Sequence, residues 1–345
     1  MTATPAPAPE RQAFISFARG LSMFSIVLYH FLLYVPLPPL LAKANQIGGA
    51  GIYIFLFASS YGLYYSRISS WKSFYLSRFK KVLFPYYIGI TVIFIVNQFL
   101  ALYPEGWPAY LSHLFLYKMF YGPYMESFGP HFWFISTIVQ FYLLWPLLRA
   151  LDQRLPTPTL LAVCLAVSLL YSVLVFRLGV QQERIWCSSV IQYFWILALG
   201  MAAARHNWIP RILQVGLLRH AVLLVVGLGM SVLVSVVFGP EANIFNDYFM
   251  FIGYFSGCVL LFLVGQQLSF IVRSMLWLNT FSYSLYIIHL FIFILYLKAL
   301  AKTSISLMEV PVVMALCIVL ALLFDKLVSQ LTDISFGRTQ PVLRT

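Results

Sequence analysis

Runs of about twenty apolar residues return from one end of this chain to the other, and few features restrict a fold more. At about 1.5 Å rise per residue, such a run makes a helix of roughly 30 Å, the thickness of a bilayer's hydrocarbon core. Ten are expected, at residues 13–35, 46–66, 82–103, 131–150, 158–177, 186–204, 219–238, 247–268, 275–298 and 309–330. Composition agrees, with 61% of 345 residues hydrophobic and 9% charged. A soluble domain is roughly 45–50% apolar and about 25% charged. The expected fold is all-α: a polytopic integral membrane protein of about ten transmembrane helices over residues 13–330. A disordered cytoplasmic tail is expected over 1–12 and a cytoplasmic C-terminal tail over 331–345. No internal repeat and no second domain is visible.

Charge then sets an orientation. The net charge is +12, but the basic residues sit at helix ends rather than along one soluble face, so nucleic acid is not an expected partner. With the N-terminus in the cytoplasm, 16 of the 22 Lys and Arg fall on the inner side and six (Lys43, Lys118, Arg177, Arg184, Lys298 and Lys302) on the outer side. Basic residues remain on the cytoplasmic side of membranes. Both termini are therefore expected in the cytoplasm, with the chain in the inner (plasma) membrane among its lipids. The opening MTATPAPAPE has no basic n-region and does not read as a cleaved signal peptide. Residues 104–130, with Trp107, Lys118 and four tyrosines, are expected as an outer loop with an interfacial or re-entrant segment. The four cysteines are scattered singly, without zinc or disulfide spacing, and are read as packing residues, so no metal site is expected.

An ionisable side chain inside a membrane costs about 2.5–3.5 kcal/mol at a helix centre, which makes the few present here functional candidates. The first span places Arg19 and His30 eleven residues apart, close to three helical turns, so both project from one face. An imidazole can take a proton from a hydroxyl and return it; the blander reading is a hydrogen bond to a neighbouring helix. Arg78 and Lys81 lie three apart in the basic loop before the third span. There they are suited either to clamp a phosphate, or only to set topology and meet anionic headgroups. The fourth span carries a polar stripe of Trp133, Ser136, Thr137 and Gln140, and the ninth carries Ser282, Tyr286 and His289. Each stripe must face other helices or a water-filled cavity. Phosphate-loop and dinucleotide glycine motifs, the GxSxG elbow and a His followed four or five residues later by Asp are all missing, so conventional soluble-enzyme chemistries have no support.

Taken in order, these segments resemble the acyltransferase 3 family of membrane O-acyltransferases. Five patterns carry the resemblance: Arg19-Gly20 through His30; FLFASSYG with Ser59; Arg78 and Lys81 ahead of Pro85-Tyr86; Trp133-Phe134 with Gln140 through Pro146; and Ser282 through His289. Two positions depart from it, with Ser16 where an acidic residue is common and Lys81 where the family has a second Arg. The form resembled is the stand-alone one, without a fused extracytoplasmic hydrolase-like domain.

The resemblance implies a reaction. Acyl-CoA, most simply acetyl-CoA, would be a co-substrate from the cytoplasm with its phosphates near Arg19, Arg78 and Lys81, and no tightly bound cofactor is implied. His30 would be the general base on an acceptor hydroxyl. Ser59, Trp133, Gln140, Ser282, Tyr286 and His289 would shape the cavity or touch the acceptor, a cell-envelope polysaccharide or lipid-linked saccharide. Direct transfer and a transient acyl-histidine both remain open. The alternative from another class is a proton-coupled transporter or flippase in which His30 and His289 relay protons; such proteins more naturally show pseudo-repeated halves with broken helices, which are not evident here.

Overall fold

The structure, a computed structural model, describes residues 9–66 and 68–337. Most of the expected N-terminal tail, Arg67, and residues 338–345 with Arg338 and Arg344 lie outside the described residues. Among the described residues every regular element is a helix, and ten helical stretches are long and apolar enough to cross a membrane. The protein is a multi-pass all-α membrane protein.

The α-helices are α1 (Pro9–Leu32), α2 (Pro39–Asn45), α3 (Gly51–Tyr64), α4 (Trp71–Arg78), α5 (Phe84–Leu100), α6 (Trp107–Leu114), α7 (Trp133–Arg154) and α8 (Thr157–Leu178). They continue with α9 (Arg184–Cys187), α10 (Phe194–Arg205), α11 (Trp208–Gln214), α12 (Leu217–Phe238), α13 (Asn246–Gly265), α14 (Ser269–Thr280), α15 (Ser282–Ala299) and α16 (Glu309–Phe336). They divide into two compact units. The first holds Met1–Ser22, Ile47–Arg67 and Trp133–Asn279; the second holds Met23–Gln46, Ile68–Phe132 and Thr280–Thr345.

In the first unit, helices meet through small residues, as expected where lipid supplies no hydrophobic drive between apolar helices. Gly227 of α12 lies against the Gly253 backbone of α13, and Gly200 of α10 against Ser60 and the Phe57 carbonyl of α3; neither glycine has room for a Cβ. The outward faces are apolar, with Leu170 70% and Val236 74% exposed. The span expected at 186–204 is interrupted between α9 and α10 by a 3-10 turn, Val190–Tyr193. Side chains of α7 satisfy the main-chain groups this frees: Thr137 Oγ1 donates to the Ser188 carbonyl at 2.6 Å, and Val190 N–H donates to Gln140 Oε1 at 3.2 Å. Part of the polar stripe read from α7 is therefore committed to repairing a broken neighbour.

In the second unit α15 is buried nearly all round, from Ser282 through Phe293, so its polar groups meet protein on every side. Tyr283 donates to the Val82 carbonyl at 2.7 Å and Ser284 to Asp325 at 2.8 Å. The basic stretch before the third span, read from sequence as a loop, is helical from Trp71. Ser70 caps α4 by accepting from Ser73 N–H at 3.1 Å, and no Pro or Gly follows until Pro85. A π-helical turn, Phe79–Leu83, joins α4 to α5.

Candidate active site

His30 and His289 come together in the second unit although 259 residues separate them. Nδ1 of His30 lies 2.9 Å from Nε2 of His289, and the rings stack with centroids 5.0 Å apart. Nδ1 of His289 faces two carbonyls of its own helix, Leu285 at 3.1 Å and Tyr286 at 2.8 Å. A carbonyl oxygen only accepts, so that nitrogen carries the proton. In the neutral ring Nε2 of His289 is then the lone pair, and it accepts from His30 Nδ1–H. The same logic passes to His30, whose own lone pair is left on Nε2. Backbone geometry in α15 thereby sets the tautomer of a histidine on α1.

A third imidazole, not singled out in the sequence, completes the cluster. His131 sits on the 3-10 turn Pro130–Phe132, with its ring centroid 4.8 Å from that of His289 and 6.2 Å from that of His30. Its main chain is held from α15 by Tyr286, whose hydroxyl donates to the His131 carbonyl at 2.7 Å. His131 is 4% exposed, and neither ring nitrogen has a hydrogen-bond partner beyond a weak contact with the Ile287 backbone. Buried polar atoms are nearly always paired, so this one calls for an explanation.

The loop before His131 is tightly built. The Lys118 ammonium donates to the carbonyls of Tyr124 and Gly129, both at 3.3 Å, and to that of Met125. His113 on α6 accepts from or donates to Tyr86 Oη at 2.8 Å through Nδ1, while its Nε2 reaches Ser127 Oγ at 3.0 Å and the Ser127 carbonyl at 3.2 Å. The carbonyl requires the proton on Nε2, so Nδ1 accepts from Tyr86. Burial, with the Lys118 charge second, holds the His113 pKa well below the usual histidine value, in keeping with this neutral, fully bonded ring.

The remaining candidate residues are distributed differently. Ser282 is buried at the start of α15. Arg78 ends α4, with its guanidinium 5.7 Å above the Phe74 ring and donating to Ser77 at 3.2 Å, and Lys81 is exposed within the π turn. The wider i→i+5 hydrogen bonding of that turn alters the simple three-residue spacing on which a shared face was expected. Arg19, Ser59, Trp133 and Gln140 belong to the first unit. Arg19 and Ser59 are half-buried there; Trp133 carries the Arg184 guanidinium 5.3 Å above its ring; Gln140 serves Val190 through Oε1 while its Nε2 has no partner. Among the described residues no group of three or more His, Cys, Asp or Glu is placed to hold a metal ion.

Ten membrane-length helical stretches among the described residues, with a hydrogen-bonded histidine pair between α1 and α15, define a multi-pass membrane protein. Over residues 12–326 its sequence matches the family described as an acyltransferase domain, acyltransferase 3. The chain belongs to that family and is a membrane acyltransferase. No curated protein and no solved structure matches it significantly.

Proposed function

We propose that the protein moves an acyl group, most simply acetyl, from a cytoplasmic coenzyme A thioester to a hydroxyl of a cell-envelope polysaccharide or lipid-linked saccharide. The observation that carries this reading is the hydrogen bond that His30 Nδ1–H donates to His289 Nε2, which makes Nε2 the basic nitrogen of the His30 ring. A base of that kind takes the acceptor's hydroxyl proton as the new ester bond forms, an effect worth typically 10²–10⁴-fold in rate. The resulting positive charge is shared through Nδ1–H with His289, whose other nitrogen rests on two carbonyls. Release of the thiolate then lets His30 return the proton to sulfur, giving coenzyme A as a thiol. Arg78 and Lys81 are the proposed phosphate contacts for the donor, and Arg suits a bidentate phosphate contact better than Lys does.

Incubating purified protein in lipid nanodiscs with radiolabelled acyl-CoA thioesters, acetyl through palmitoyl, and saccharide fractions from cell envelopes tests the reading. Label in a saccharide ester is expected, with acetyl the best donor. No transfer from any thioester overturns it. The proposed orientation, with both termini and α4 in the cytoplasm, rests on the 16-to-6 charge partition. Lys72→Cys in a cysteine-free background is expected to resist an impermeant thiol reagent applied to intact cells, and labelling from outside reverses the topology.

A further inference from the structure

We infer that His131 is a further catalytic residue, whose ring N–H binds the thioester carbonyl oxygen as that oxygen becomes negative. The inference rests on the acyl-transfer reading above. Its ground is the state of the ring. A buried donor without a partner costs about 1–3 kcal/mol, and His131, 4% exposed, has no hydrogen-bonded neighbour at either nitrogen beyond the weak Ile287 contact. A ligand accepting from one of those nitrogens removes that cost.

Position says which ligand atom. His131 stands 4.8 Å from the His289 ring and 6.2 Å from the His30 ring, so one small group lying against the cluster is in reach of both His30 and His131. His30 is oriented to take a proton, whereas the single N–H of the neutral His131 ring makes no protein hydrogen bond of ordinary geometry, so on either nitrogen it is open to a ligand oxygen. The ring is also held. Tyr286 fixes the His131 carbonyl at 2.7 Å, and the ring packs over Gly129, where a Cβ would come within 2.8 Å of its Cε1 and Nδ1. Gly129 adopts φ +124°, a left-handed conformation that favours glycine. Lys118, bonded to the Gly129 carbonyl at 3.3 Å, adds a nearby ammonium whose charge acts on His131. Preorganised donors and fixed positive charge in a dry site are what an acyl-transfer oxyanion requires.

The step balances. The acceptor oxygen attacks the thioester carbon and forms the C–O bond; its proton passes to His30 Nε2; the carbonyl π pair moves onto oxygen, which accepts from His131 N–H. On collapse the carbonyl re-forms, the C–S bond breaks, and His30 protonates the departing thiolate.

The test compares His131→Phe, which keeps a flat ring without a donor, with His131→Gln, which keeps an N–H donor. Each is assayed in nanodiscs with the acyl-CoA series for turnover, donor affinity and thermal unfolding. His131→Phe is expected to lose about 10²–10³-fold in kcat, the usual effect of removing one oxyanion donor. Its donor affinity should stay within threefold and its unfolding temperature should not fall. His131→Gln should recover at least tenfold of the lost turnover. A well-folded His131→Phe variant within threefold of wild-type turnover overturns the inference, as does a His131→Gln variant no better than His131→Phe. Lost turnover that tracks lower unfolding temperature in both variants assigns His131 to packing and also overturns it. Wild-type protein that transfers nothing from any thioester instead overturns the acyl-transfer reading itself.

Discussion

Each unit has a polar centre among apolar helices, and the two centres are finished differently. In the first unit the Asp247 carboxylate accepts from Tyr53 Oη at 2.5 Å and from Gln192 Nε2 at 3.1 Å; Gln192 also donates to the Ile244 carbonyl at 2.9 Å and accepts from Ser172 Oγ at 2.8 Å. Ser172 in turn meets Tyr248 Oη at 2.8 Å. Every polar group in that chain is engaged with protein, so it joins α3, α8, α13 and the 190–193 turn as helix-to-helix glue. The second unit's cluster of His30, His131 and His289 is less complete, and the gap is at His131. His289, set by two carbonyls of its own helix, fixes the tautomer of His30, and His131 is buried with no hydrogen-bonded partner at either ring nitrogen beyond the Ile287 contact. A closed network holds helices together, whereas an incomplete one is shaped for a molecule that arrives later.

The largest effect expected from that contrast lies at His30. His30→Gln can still hydrogen-bond to His289 but cannot take up a proton at neutral pH, so transfer should fall by about 10²–10⁴-fold at matched membrane expression, with coenzyme A binding retained. Substantial turnover by this variant places the base elsewhere. His289→Leu should cost less, about 10–100-fold, the usual effect of removing a ring-orienting partner. His289→Gln, whose carbonyl can accept from His30 Nδ1, should recover part of it. Equal activity of the leucine and wild-type enzymes would reduce His289 to packing.

Donor binding comes next. Arg78→Ala and Lys81→Ala should each weaken coenzyme A affinity about tenfold, since a charge-assisted contact is worth about 1.5–3 kcal/mol and exposure favours the lower end. Saturating donor should restore kcat, and Lys81→Arg should bind as tightly as wild type. Titration of purified variants decides, and unchanged affinity in both alanine variants leaves the basic stretch a topological device.

Sequence made the membrane fold legible because the signal is coarse. A run of twenty apolar residues has one economical structure in lipid, and the ten membrane-length stretches appear as expected. What stayed hidden is finer. Helix α4 was masked by its own charge, since Arg78, Lys80 and Lys81 read as a topogenic loop although Ser70 is a recognisable N-cap. The break at 188–193 has no Pro or Gly to announce it, and depends on Thr137 and Gln140 of another helix. His30 and His289 were legible as rare ionisable residues in apolar spans. His131 was not, because it lies ahead of the Trp133 stripe and outside any helical periodicity. Its meaning comes from Tyr286 and His289 more than 150 residues away. The available hint was a histidine directly after a Gly-Pro turn at a membrane boundary.

The smallest effect on activity belongs to the closed network, and it is the sharpest check on the contrast. Asp247→Asn keeps shape and volume but turns one acceptor into a donor. If the new amide faces Gln192, two donors confront each other, because Gln192 Nε2 is held by the Ile244 carbonyl and its Oε1 by Ser172. If the amide faces Tyr53 instead, the tyrosine hydroxyl loses its acceptor. Either arrangement leaves one buried polar group unmatched, for about 1–3 kcal/mol of stability. Thermal unfolding in nanodiscs should therefore shift down by a few degrees, roughly 2 °C per kcal/mol for a chain of this size. Turnover and donor affinity of the folded fraction should stay within about twofold, since nothing in the network needs a substrate to complete it. A collapse of kcat with unchanged unfolding temperature would mean that the first unit's carboxylate also takes part in the chemistry, and that a saturated network is no guide to a structural role in this protein.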